Sequence, residues 1–172
     1  MHRRILLFSI LALAGVPGLR AQPISRSEVL AAVAVLEKDP TGPGAQAAAE
    51  TVTRFGRESD AVLLIVGAET LPWVQADAPP AEKAVRTRLV AVYFAGDIKS
   101  QLQQGAAQDD PYRGWLAAIR AYGQFRQKQP GLVIPEIEEL IRKERAGTLK
   151  AEAEAIRREQ EDGQQPSSGH LI

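Results

Sequence analysis

The sequence predicts an all-α fold, a single domain of about six or seven helices arranged as an irregular helical bundle or as stacked helical hairpins. Three observations predict it. Apolar residues recur at spacings of three and four along almost the whole chain after residue 24. Helix-starting signals precede these stretches, including proline at residues 111 and 135. The composition holds 27 alanines and no cysteine in 172 residues, so a core must come from helices that pack closely without disulfides.

The first 21 residues read as an address. His2-Arg3-Arg4 make a positive start, Ile5 to Val16 carry no charge, Pro17-Gly18 break any helix, and Ala21 supplies a small residue for cleavage. Twelve residues rise about 18 Å as a helix, short of the ~30 Å hydrocarbon core, so residues 1–21 predict a cleaved secretory signal and no transmembrane anchor after processing. Removing Arg3, Arg4 and Arg20 turns the balanced charge of the full chain into −3 for the mature one. A mildly acidic chain has no global attraction to nucleic acid. Many arginines, few lysines and no asparagine suggest a GC-rich, bacterial coding sequence, hence a periplasmic or secreted product.

The domain proper is expected over residues 22–158. Ser25 and Glu28 have capping-box spacing, Ile24 and Val29 that of a hydrophobic staple, and Val29, Val33 and Leu36 line one face until Asp39-Pro40. Ala48, Val52 and Phe55 mark a second helix, with Gly56 suited to the position just past its end. Together they predict an antiparallel hairpin. Residues 61–71 contain the run Val62 to Val66, which fits a buried strand or a buried helix. No second strand-like run follows to pair with it, and an unpaired strand would leave backbone donors unsatisfied, so the helix is preferred.

Pro72 ends that segment, and Pro79-Pro80 close a stiff connection. The longest pattern spans about Ala81 to Gln104, with Val85, Leu89, Val92, Tyr93, Ile98 and Leu102 inward. Gly96 inside it marks a close helix crossing or a bend. Asp110-Pro111 is an acidic N-cap before a proline, and Trp115, Ile119 and Tyr122 share one face of the helix it starts. Pro135 begins a helix ending at Gly147, and Thr148 can cap a last one carrying Leu149, Ala153 and Ile156. Residues 159–172 are polar and are expected to be a disordered tail.

Trp115 and Tyr122 keep the spacing of seven found in tetratricopeptide repeats. Ile119 stands where that motif takes a small residue and no proline closes the unit, so the likeness covers one helix and assigns no family.

Chemistry is sparse. His170 sits in the polar tail, which cannot hold an imidazole in fixed geometry, and thiol chemistry is excluded. There is no phosphate-cradling glycine loop, no GxSxG elbow and no calcium loop. Asp109-Asp110 reads as helix capping, and Glu136, Glu138 and Glu139 complement a helix N-terminus. No catalytic residue, metal ligand or cofactor is assigned. The remaining signal is charge: residues 111–135 hold Arg113, Arg120, Arg126 and Lys128 with no acid, followed by a glutamate-rich helix. Complementary edges of two antiparallel helices account for this. Its functional form is a basic face of Tyr112, Arg113, Trp115, Arg120 and Arg126 that docks an acidic protein partner of the cell envelope or an anionic envelope surface. The function expected is an exported interaction, adaptor or chaperone-like module without catalysis. The alternative is a small envelope enzyme or ligand carrier using carboxylates or arginines in an interhelical pocket.

Overall fold

The computed structural model describes residues 22–74 and 78–164, the side chains as far as residue 160. The expected signal segment 1–21 and His170 lie outside the described residues. Six helices follow one another: α1 Arg26–Lys38, α2 Ala45–Glu58, α3 Pro80–Gln104, α4 Pro111–Lys128, α5 Pro135–Arg145 and α6 Leu149–Gln164. Among the described residues there is no strand, and no helix is long and apolar enough to cross a membrane.

The local signals act as their chemistry requires. Ser25 and Glu28 form the capping box, and the staple residue Val29 is fully buried. Asp110 accepts from the Arg113 N–H at the head of α4, and prolines open α3, α4 and α5. Gly105 and Gly147 take the left-handed conformation, φ 70° and 72°, that ends α3 and α5.

The α3–α4 pair is the centre. Connections of a few residues join α1 to α2 and α3 through α6 in succession, while the long 59–79 segment joins α2 to α3; α1 and α2 pack on α3, while α5 and α6 pack on α4. Gly96 settles as a close crossing: a Cβ there would stand 2.5 Å from the Arg113 carbonyl oxygen and 2.7 Å from Ala117 Cβ. Ala117, whose Cβ faces Gly96 across this contact, is itself buried, so small residues on both helices let them approach.

Three expectations change. Gly56 does not end α2, which continues to Glu58 with Ser59 as its C-cap. The missing side chain serves packing instead, since a Cβ on Gly56 would meet Leu64 Cδ1 at 2.4 Å. Helix α6 runs to Gln164, past the point where a disordered tail was expected. Glutamate, arginine and glutamine are good helix formers, and Lys150–Glu154 adds an i,i+4 pair at 3.8 Å. Most consequentially, residues 61–71 are not a helix.

Val62 to Gly67 is an uncoiled segment lying against α3 and the α3–α4 loop. The backbone groups of Leu63 and Ile65 are satisfied by side chains. The Leu63 N–H donates to Gln101 Oε1 at 2.8 Å, and Gln101 Nε2 returns a bond to the Leu63 carbonyl at 2.6 Å. The Ile65 N–H donates to Asp109 Oδ1 at 3.0 Å, and its carbonyl accepts from the Thr70 hydroxyl. The preference for a helix rested on the lack of a second strand. Amide and carboxylate side chains do that strand's work here.

Candidate functional site

A half-open trough of about 990 Å³ lies between α2 and α3. It follows from spacing on each helix. On α3, Lys83, Thr87, Val90 and Phe94 step by three and four along a face that differs from the buried Val85–Leu89–Val92 stripe. On α2, Ala47, Thr51 and Arg54 do the same. Together they make an apolar floor of Ala47, Val90, Ala91 and Phe94, with the exposed Val74 also lining the trough.

Charge stands on the walls. Arg54, Arg57, Lys83, Arg86 and Arg88 line the trough against one acid, Glu50. Two of these cations are partly engaged, with Arg54 Nε 3.8 Å and Arg57 Nη2 3.3 Å from Glu58. Arg88 Nη2 donates to Gln46 Oε1 at 2.6 Å, while its Nη1 is buried with no hydrogen-bond partner among the described residues. Arg86 has a different task. Buried to 7% exposure, it donates to Glu82 at 2.7 Å, to the Trp73 carbonyl at 2.5 Å and to Glu136 at 3.1 Å, tying α3, the 72–74 loop and α5 together.

A second cleft, about 670 Å³, has the opposite character. Leu140, Ala155 and Ile156 floor it, and Glu69, Glu136, Glu139, Glu152 and Glu159 surround it with Lys143. Part of that charge is internal, because Glu136 meets Arg86, Glu139 meets Arg142 and Glu152 meets Lys143 at 2.6 Å.

Behind the 62–67 segment lies a buried acid pair. Asp97 and Asp109 are 0% and 1% exposed. Asp97 Oδ1 accepts from Gln101 Nε2 at 2.8 Å and from the Asp110 N–H at 2.9 Å. Burial, then the neighbouring Asp109 charge, push the Asp97 carboxyl up to about 9; burial raises Asp109 as well. Both carboxyls are pushed toward the neutral form, and Asp97 Oδ2 and Asp109 Oδ2 are each buried without a hydrogen-bond partner among the described residues. The Tyr93 hydroxyl is buried beside them, its ionisation driven upward by desolvation and by these carboxylates. Among the described residues no group of three or more histidine, aspartate or glutamate side chains is placed to hold a metal ion.

The residues singled out from the sequence are not brought together as one face. Trp115 is fully buried and donates through Nε1 to the Thr70 carbonyl at 2.8 Å, so it braces the loop and is closed to a partner. Tyr112 is half-buried and reaches Glu144 at 3.3 Å. Arg126 pairs with Glu138 at 2.9 Å and lies 5.8 Å over the Tyr122 ring, which is the edge-to-edge complementarity of two adjacent helices. Arg113 and Arg120 remain exposed on α4. The trough itself was not singled out from the sequence. Its signal was faint but present: Val90 and Phe94 are apolar residues off the core stripe, on a face that also carries Lys83.

The geometry defines an all-helical protein with an open, basic, apolar-floored trough and a buried acid pair. Comparison with protein-family models, curated proteins and solved structures finds no significant match.

Proposed function

We propose that this chain is an exported binding module that seats an acidic, amphipathic segment of a protein partner in the α2–α3 trough. The observation that carries the reading is the pairing of an apolar floor (Val90, Ala91, Phe94) with flanking cations (Arg54, Arg57, Lys83, Arg88). A helix laid in a groove buries an apolar stripe and keeps its charged edges at the rim, which matches this arrangement. A trough open along its side suits a segment of chain better than a small molecule, since small-ligand sites enclose most of their ligand's surface. Export rests on the sequence of residues 1–21, and a cell-envelope partner follows from it.

The test uses a synthetic helical peptide with one leucine-rich face and glutamates on its flanks, titrated into isotope-labelled protein. The expected result is shifts at Ala47, Val90 and Phe94. Arg54→Glu with Lys83→Glu should weaken binding at least about tenfold, as should raising salt from low to high ionic strength. Shifts confined to Arg113 and Arg120, or binding indifferent to the double charge reversal, would place recognition elsewhere and overturn the reading.

A further inference from the structure

We propose that Val62–Val66 is an open β-edge through which two copies of this chain pair as an antiparallel two-stranded ribbon about a twofold axis at Leu64. The inference is independent of the trough. It begins with which backbone groups are used. Residues 63 and 65 turn their N–H and C=O groups to the protein, where Gln101, Asp109 and Thr70 receive them. Successive residues of an extended chain present these groups to opposite edges, so a period of two in the bonding is the mark of a strand. The groups of Val62, Leu64 and Val66 belong to the other edge. No hydrogen bond among the described residues engages them.

The side chains hold the segment in place. Val62 is buried and Leu64 lies over Gly56 of α2. Leu63 and Val66 remain 40% and 59% exposed, apolar surface beside an unused edge. Proteins usually guard such an edge with lysine, proline or a bulge. Residues 61–68, Ala-Val-Leu-Leu-Ile-Val-Gly-Ala, contain no charge and no proline.

A second copy fits this edge by register. In antiparallel pairing centred on Leu64, Val62 faces Val66 of the partner copy and Leu64 faces Leu64. Those are the three residues whose backbone groups no hydrogen bond among the described residues engages. All three positions become hydrogen-bonded pairs, each exchanging two bonds, for about six across the axis. The run is apolar throughout, so the twofold sets no like charges opposite one another within it, and the contact is isologous and closes at two copies.

The experiment follows the full chain by sedimentation equilibrium across a concentration series, with amide hydrogen exchange at matching dilutions. A monomer–dimer equilibrium is expected, with the Val62, Leu64 and Val66 amides slowing as concentration rises while Leu63 and Ile65 stay slow throughout. Val66→Pro, at an exposed position, removes one edge donor and should raise the dissociation constant at least about tenfold. Val66→Ala keeps the donor and should weaken pairing less. A monomer at every concentration overturns the proposal, as does a dimer unaffected by Val66→Pro. So does slow exchange of the three edge amides at high dilution, which would mean that the chain closes the edge itself.

Discussion

Gln101, on the last turns of α3, meets both backbone groups of Leu63, taking its N–H at 2.8 Å and donating to its carbonyl at 2.6 Å. One primary amide thus presents a neighbour's N–H and C=O as an adjoining strand would. The side chain is 1% exposed, so neither bond is exchanged for water when broken. Gln101→Met keeps length and apolar volume but strands the Leu63 backbone and removes one of the two donors to Asp97 Oδ1. The expected loss is about 2–3 kcal/mol, read from urea denaturation midpoints. Faster exchange at the Leu63 and Ile65 amides, with α1 and α2 unaffected, should accompany it.

The acid pair gives the protein a directed pH dependence. An unfolded aspartate titrates near ~3.9, whereas folded Asp97 titrates at about 9. The folded state therefore binds more protons across that interval. The contribution of Asp97 is full below about pH 4, falls steadily as pH rises, and is lost once pH passes about 9. Asp109, also raised, acts in the same direction, and Asp110 adds negative charge nearby. Asp97→Asn keeps an oxygen for Gln101 and the Asp110 N–H and removes the ionisable carboxyl beside Asp109. The variant should be at least as stable as the parent at neutral pH and more stable at about pH 8–9, with a flatter profile. Denaturant midpoints measured over about pH 5 to 9 check this; an unchanged slope would exclude Asp97 as its source.

Two glycines in the central helix pair should respond in opposite directions to the same substitution. At Gly96 a methyl group collides with the Arg113 backbone and with Ala117 Cβ, neither of which can rotate away. Gly96→Ala should separate α3 from α4 and cost about 2–3 kcal/mol. Nothing lies within 4 Å of the corresponding position at Gly123, which is exposed within α4. Gly123→Ala should stabilise by about 0.5–1 kcal/mol through helix propensity alone. Thermal midpoints of the two single variants provide the comparison.

The sequence by itself determined where most helices begin and what each buries. Ser25 with Glu28, Asp110 with Pro111, and Pro135 act through bonds or dihedral limits within a few residues of themselves, so their effect is legible without the rest of the chain. The same holds for Val29, Leu89 and Tyr122, whose burial follows from period. Tertiary structure decided what depends on partners remote in sequence. Val62–Val66 is uncoiled because Gln101 and Asp109, about 40 residues onward, receive the backbone of Leu63 and Ile65. Trp115 is withdrawn from the surface because the Thr70 carbonyl receives its indole N–H. The basic trough exists only because α2 and α3 pack side by side, gathering arginines that are separate along the chain into one field over a shared apolar floor. Hydrogen-bond satisfaction and electrostatic addition depend on distance in space, and the folded core alone sets that distance.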